Sequence, residues 1–384
     1  MEGVKSILIF GAAGRVGLGL VRALLRHHID ISVADIVEKK RLSEKISRVI
    51  VDTRLSYGDV TGQVKVYGNI DVLNEEKITE LLIKVKPDIV VNYAIPFTWD
   101  AAKQLPNYDR ISQAGLGAFA PAQVIAPKII AQALAASGID AKYIVGNLPD
   151  ITIPIIHGLN EHQPLALPIA GAGNVGLIEA GIKHNIATER QVKIGDLSVF
   201  LVAHHVHWVA PREPGYRNDA PFLLKVCYQD NDITEELGDL RELMNRSIVN
   251  CYEAGAGFSS TTALLAAKLV LSLLDVEGKI HPLHVPSPNG LPGGYPITIK
   301  NGTINTDLPS EWQLSEAVVL MKQAHQRDGI DKIAEDGSIH FDPQSVAILK
   351  KEVGINLPEI VRPSELDMVA KEQIRSAQIA IKMI

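Results

Sequence analysis

The chain has 384 residues, 38 of them basic and 44 acidic, for a net charge of −6. Apolar residues make up 46% and charged residues 21%, a balance that excludes a disordered or fibrous protein and suits two or three globular domains. The charges form no long run of one sign, which excludes the basic patch that nucleic acid requires, and two cysteines, Cys227 and Cys251, are too few for a disulfide framework or a thiolate metal cage.

The first five residues contain no apolar core of a secretory signal, and the cysteine usage fits a reducing, cytoplasmic compartment. Residues 6–10 are a short apolar run ended by glycine, the pattern of a buried parallel strand. Val16, Leu20, Val21, Leu24 and Leu25 share one helical face. Strands are then expected at 31–35, 64–67, 88–93 and 142–145, with helices after Asn74 and around 125–134. Repeated βα units of this length imply a doubly wound parallel sheet over residues 1–150, an α/β fold of the Rossmann type. The irregular stretch 97–118 is long for a compact domain, and such loops commonly act as lids.

Beyond residue 150 the pattern changes to a mixed α+β unit, 151–330, with a helical extension, 331–384. Helices are expected at 235–253 and 260–274. The most apolar stretch, 263–274, is too short to span a bilayer and carries Lys268, so no membrane partner is expected. Asn301-Gly302 between two strand-like runs signals a hairpin. Ser310 with Gln313 suggests a capping box for a helix reaching about residue 326. Asp336-Gly337 marks a turn, Asp342-Pro343 starts a helix that Gly354 stops, and a last helix runs from about 364.

The strongest chemical motif is Gly11-Ala12-Ala13-Gly14-Arg15-Val16-Gly17, placed between a strand and a helix as a dinucleotide loop requires. Its glycines let the backbone approach a pyrophosphate, and the helix N-terminus offers it free N–H groups. Asp35 ends the second strand, where a carboxylate binds both adenosine ribose hydroxyls and repels a 2′-phosphate. That favours NAD over NADP, although Lys39, Lys40 and Arg41 nearby soften the preference. A second glycine pattern, Gly171 to Gly176 with Asp196 beyond it, reads as a tight bend at the edge of the active site rather than a second nucleotide site. A strand-like run, 199–203, leads into His204-His205-Val206-His207-Trp208, and alternation would place His205 and His207 on one face. A histidine there suits proton transfer, because its pKa lies near neutrality. The alternative is a metal site on His205 and His207 with Glu179 or Glu213. Arg212 and Arg217 follow, and either side chain could clamp a substrate carboxylate or phosphate.

In this order the motifs resemble the lactate/malate dehydrogenase superfamily over residues 5–330. The glycine loop, the strand end at Asp35, the stretch Asn147-Leu148-Pro149-Asp150, the spacing from His205 to Pro211, and residues 253–274 carry the likeness. The resemblance implies an NAD-binding Rossmann domain, a small-molecule substrate and a homo-oligomer. It also implies catalytic roles for His205 as acid/base, Asn147 between nicotinamide and substrate, and Arg110 as the residue polarising the carbonyl. The family's paired aspartate and arginine have no counterpart in the stretch 173–180, where Glu179 is the replacement for the carboxylate. Without that arginine neither lactate nor malate is expected as substrate. The expected function is an NAD-dependent oxidoreductase interconverting a secondary alcohol and a ketone. The alternatives are an NAD- and metal-dependent glycosidase or lyase of the same superfamily, and a catalytically silent NAD-binding protein.

Overall fold

The computed structural model describes residues 4–60, 62–213, 215–252 and 258–382. Its first unit alternates strands and helices. In chain order these are β1 (Lys5–Phe10), α1 (Arg15–Leu24), β2 (Ile29–Ala34), α2 (Lys39–Tyr57), β3 (Val64–Tyr67), α3 (Glu75–Val85) and β4 (Ile89–Asn92). Two single-turn helices, α4 (Trp99–Ala102) and α5 (Tyr108–Ile111), precede the long α6 (Ala120–Ser137). Then come β5 (Lys142–Val145), α7 (Pro149–Leu159), β6 (Pro168–Gly171) and α8 (Val175–Arg190). The six strands form one parallel sheet in the order β3-β2-β1-β4-β5-β6, the doubly wound Rossmann order. The sheet therefore continues past residue 150, and β6 completes it.

The apolar strands are buried on both faces because they alternate between two cores. Ile7, Ile9, Val33 and Val91 pack on one side with α1, α2 and α8. Leu8, Phe10, Val90 and Val145 pack on the other with α3 and α6. Asn74 caps α3 by accepting a hydrogen bond from Lys77 N–H at 3.0 Å. Leu116–Ser137, which includes α6, is long and apolar enough to cross a membrane, yet 83% of its most apolar window is buried inside the fold. It is a core helix of this face, and 263–274 forms part of a second apolar helix, largely buried on the other face.

The second unit contains β7 (Leu197–Val202), the short α9 (His205–Val209), β8 (Leu223–Tyr228), β9 (Asn231–Asp232), α10 (Leu240–Cys251) and α11 (Phe258–Leu274). It continues with β10 (His281–Pro286), β11 (Gly294–Lys300), β12 (Thr303–Thr306) and α12 (Leu314–Gln326). Two antiparallel sheets, β7-β8-β9 and β10-β11-β12, result. Asn301 and Gly302 turn the β11–β12 hairpin at φ +50° and +71°, the double left-handed conformation that Asn-Gly tolerates. Part of the glycine-led segment, residues 253–257, lies outside the described residues. The capping box does not form: Gln313 caps α12 without a side-chain bond, and Ser310 Oγ reaches Glu311 instead.

The extension is not only helical. It adds β13 (Ile330–Ile333), β14 (Ile339–Phe341), α13 (Pro343–Val353), β15 (Ile360–Val361) and α14 (Leu366–Lys382), whose strands form a third antiparallel sheet. Ile330, Phe341, Leu349, Leu366 and Ala370 join the core that holds Leu8 and Phe10. The extension is thus part of the first unit's packing. Gln373 on α14 is buried, accepts a hydrogen bond from Ala122 N–H at 3.1 Å and donates to Ala118 C=O at 2.8 Å. Gln373→Leu would leave both backbone groups buried and unpaired, at about 1–3 kcal/mol each. Denaturant titration should show a loss of about 2–4 kcal/mol, against less than about 0.5 kcal/mol for the exposed neighbour Glu372→Ala.

Candidate active site

The loop between β1 and α1 makes an anion cradle. Gly11 has φ +77°, and a Cβ there would stand 2.5 Å from Ala94 N. A Cβ on Gly17 would stand 2.5 Å from Gly11 C=O, so helix and loop meet only through glycine. No side chain caps the first turn of α1, which leaves its amides and its partial positive charge facing the pocket. Asp35, at the end of β2, accepts hydrogen bonds from Ala13 N–H at 2.8 Å and Val37 N–H at 3.1 Å. It fixes the strand end to the loop, and each carboxylate oxygen keeps a further lone pair. Lys45 Nζ donates to Ala13 C=O at 3.1 Å. Gly11, Gly14, Arg15, Val16 and Gly17 line one end of a cavity of about 490 Å³, which His205, Asn147 and Asn174 also line.

Asn147 lies just beyond β5. Asn92 Nδ2 donates to its Oδ1 at 3.2 Å, and its own Nδ2 donates to Gln123 C=O at 3.1 Å. Its amide is therefore held in one orientation at the pocket wall. Leu148 then takes a left-handed turn and Pro149 starts α7, which puts Asp150 on the first helical turn, where the helix dipole favours a carboxylate.

His205 sits between two carboxylates. Its Nδ1 is 3.3 Å from Asp150 Oδ2, and its Nε2 is 2.8 Å from Asp328 Oδ2; all three side chains are 0–1% exposed. Both contacts are within ion-pair distance. Asn174 Nδ2 donates to Asp150 Oδ2 at 2.8 Å from a strained backbone, φ +33° and ψ −98°. On the far side, the hydroxyl of Tyr216 donates to Asp328 Oδ1, as does Leu116 N–H at 2.9 Å. Burial alone would lower the His205 pKa, but Asp328 and Asp150 outweigh it and push the value up to about 10. The ring is an imidazolium at neutral pH, not a group poised near neutrality.

The neighbouring histidines are neutral. His204 and His207 belong to α9 and its cap rather than to a strand, so alternation does not apply. His207 Nδ1 accepts from His204 N–H at 3.0 Å, and its Nε2 lies 3.1 Å from Ala220 C=O. Both its nitrogens are occupied by backbone, which separates it from the metal pairing with His205. Among the described residues no group of three or more His, Cys, Asp or Glu is arranged to hold a metal ion. Burial lowers His207 to about 4 and His204 well below its ordinary value.

Two expected residues are elsewhere. Glu179 pairs with Lys183 at 2.7 Å, one turn along α8, and Asp150 and Asp328 take the place proposed for it. Arg110 is 66% exposed and points to Glu352 at 3.5 Å, because the loop turns through α5 against α13. The stretch 97–118 is also not one lid. Ile111, Ala114, Leu116 and Ala118 are core residues, and Gly115 and Gly117 press on Asp328. Phe97, Thr98, Asp100, Ala102, Lys103 and Leu116 of this stretch line the pocket, and the pairs Arg15–Asp100 at 2.6 Å and Lys103–Glu213 at 2.5 Å tie the segment across it. The second glycine pattern leads from β6 into α8, where Gly176 lets the helix approach His284 C=O, while Asp196 belongs to the turn before β7. Asp150 was visible inside the Asn147–Asp150 motif. Asp328 and Tyr216 carried no motif.

A structural comparison finds lactate dehydrogenase from Eimeria maxima, solved with NADH and oxamate, at 14% identity and a TM-score of 0.54. The match covers 85% of this chain and 92% of that one. Malate dehydrogenase from Cryptosporidium parvum matches at 16% identity and 0.51, covering 85% and 97%. The chain has the lactate/malate dehydrogenase fold. Residues 7–113, which include the glycine cradle and Asp35, match the NAD dependent epimerase/dehydratase family. No curated protein matches the chain in sequence.

The charge states have opposite pH signatures. His205 is raised above its unfolded value, so its stabilisation is complete below about pH 6.5 and gone once pH has risen through about 10. His207 is depressed, so its stabilisation is present above about pH 6.5 and lost as pH falls through about 4. The ring signals of His205 in NMR should stay those of an imidazolium from about pH 6 to 9, while those of His207 stay neutral. Titration of His205 near pH 6.5 would contradict the arrangement.

Proposed function

We propose that the protein is an NAD-dependent oxidoreductase interconverting a secondary alcohol and a ketone, with His205 exchanging the hydroxyl proton. The observation that carries this reading is that His205, held between buried Asp150 and Asp328, lines the same cavity as an uncapped, glycine-lined helix N-terminus. The residues fit a dinucleotide: Gly11 and Gly17 let strand, loop and helix close up where a Cβ would clash with the backbone, the first amides of α1 are left without a side-chain cap, and Asp35 holds the loop where the adenosine ribose would lie. When bound, NAD would supply or accept the hydride.

The chain's own residues do the rest. Asn147, fixed by Asn92 and Gln123, positions the reacting groups at the end of β5. Asp150 and Asp328 keep His205 charged, which makes it an acid toward a carbonyl oxygen at neutral pH. One ring N–H would turn from its carboxylate to the substrate, and the Asp150 contact, the longer of the two at 3.3 Å, is the easier to exchange. The segment 97–103 closes the pocket; its exposed Arg15–Asp100 pair contributes only about 0–1 kcal/mol, and buried Phe97 and Ala102 anchor it to the core.

Binding measurements should show tighter association with NAD than with NADP, and Asp35→Ala should narrow the gap. A preference for NADP in the unmodified protein would contradict the role given to Asp35. His205→Asn should retain nucleotide affinity and lower turnover of a ketone with NADH by about 10²–10⁴-fold. Ketone reduction should hold its rate up to alkaline pH and fall as pH passes about 10, while alcohol oxidation rises over that range. A reduction profile that falls near neutrality would contradict the proton role of His205.

A further inference from the structure

Asn174 and His205 meet on a shared atom. Asn174 Nδ2 donates to Asp150 Oδ2 at 2.8 Å, and the same oxygen lies 3.3 Å from His205 Nδ1. Both residues line the cavity. Asn174 is held there at φ +33° and ψ −98°, outside the regions that a residue with a side chain ordinarily occupies. Among the described residues no donor reaches its Oδ1. Gln123, a second lining residue, donates from Nε2 to Phe97 C=O at 2.8 Å and likewise receives no donor at Oε1. Asn147, a third, keeps one amide N–H and one oxygen lone pair beyond its bonds with Asn92 and Gln123. Three carboxamides thus line the cavity with both donor and acceptor capacity unspent, and Asn174 is tied to the imidazole through one carboxylate oxygen.

The charge around His205 is net negative, because two buried carboxylates flank one imidazolium. His204 and His325 are held below their ordinary value by burial and add no positive charge. The basic side chains of the lining are committed: Arg15 pairs with Asp100, Lys103 with Glu213, and Glu213 also acts on Arg212. A carboxylate on the reacting carbon would therefore meet like charge in a dry site. An ammonium one carbon away would find acceptors, but it has no lone pair for the carboxamide N–H groups. A hydroxyl both donates and accepts, which matches both ends of a carboxamide.

We propose that the substrate is a neutral α-hydroxy ketone, or in the opposite direction the corresponding vicinal diol, whose hydroxyl beside the reacting carbon donates to Asn174 Oδ1. This rests on the oxidoreductase reading of the site and names its substrate class and a specificity-determining residue. Reduction adds a hydride at the carbonyl carbon and a proton from His205 at its oxygen, with NADH as the reductant, and leaves the adjacent hydroxyl unchanged.

Four small ketones test it. Hydroxyacetone, butanone, pyruvate and aminoacetone share an acetyl group and differ in the group beside the carbonyl: hydroxyl, methyl, carboxylate or ammonium. Their binding to the full chain, with and without NADH, can be followed by ligand-observed NMR, and their reduction by NADH oxidation. Hydroxyacetone should bind more tightly than the other three and show a kcat/KM at least about tenfold higher, since a site built to bond a hydroxyl rejects analogues that lack it. Asn174→Ala should bring hydroxyacetone and butanone to within about threefold of each other. Asn174→Gly, which accepts the positive φ without strain, should do the same and carries the comparison if the Ala variant does not fold. Circular dichroism and NADH affinity report folding. Equal or tighter binding of butanone, pyruvate or aminoacetone, binding of none of the four, or a hydroxyl preference that survives both substitutions overturns the proposal. Failure of the oxidoreductase reading shows separately, as absent NADH binding or absent turnover of every ketone, while the order of binding without NADH still reports whether Asn174 selects a hydroxyl.

Discussion

A buried positive charge between two buried negative ones organises this molecule. The imidazolium of His205 cannot be stable in a dry interior alone, and neither can Asp150 or Asp328. Each makes the others tolerable, and removing one partner of such a cluster costs about 3–5 kcal/mol because the remaining charge is stranded. The surroundings complete the compensation. The α7 N-terminus and Asn174 hold Asp150, while Tyr216 and the Leu116 amide hold Asp328. A group so placed is a structural ion pair, and His205 also lines the cavity that the glycine loop borders.

The cluster draws one group from each part of the chain. Asp150 comes from the end of the parallel sheet, His205 from the antiparallel unit, and Asp328 from the junction between α12 and the extension. That explains why the extension lies over the first unit. Its strands and α14 bury Ile330, Phe341 and Ala370 against the same core as Leu8 and Phe10, and Gly115 and Gly117 then close on Asp328.

Local signals in the sequence were strong where one segment decides its own structure. The glycine loop, the alternating strands, Asn301-Gly302 and the stop at Gly354 each depend on residues within a few positions, and all form as expected. The capping box at Ser310 fails because Ser310 turns to Glu311 instead. The site was less legible because its partners are distant. Glu179 was the nearest carboxylate in a motif, but its position on α8 faces Lys183. Arg110 stands at the right place in the chain, yet Tyr108–Ile111 coils into a helical turn that directs it to Glu352. Asp328 has no sequence neighbour that marks it. The histidine run was misread as a strand since His204 supplies its own helix cap, a role more usual for Ser or Asp.

The bonds that close the site also set when it can form. Leu116 and Asp328 are separated by 212 positions, and Ala122 and Gln373 by 251. During synthesis the parallel sheet can assemble while the last helices are still unmade, since domains generally fold as they emerge. Until Asp328 is delivered, His205 has half its counter-charge and the turn at Leu116 lacks its acceptor. Loop closures this long are slow and come after local structure. A ribosome that stops early would therefore release a chain with the glycine cradle but only one of the two carboxylates that flank His205, so the two ends of the cavity are completed at different moments in the life of the polypeptide.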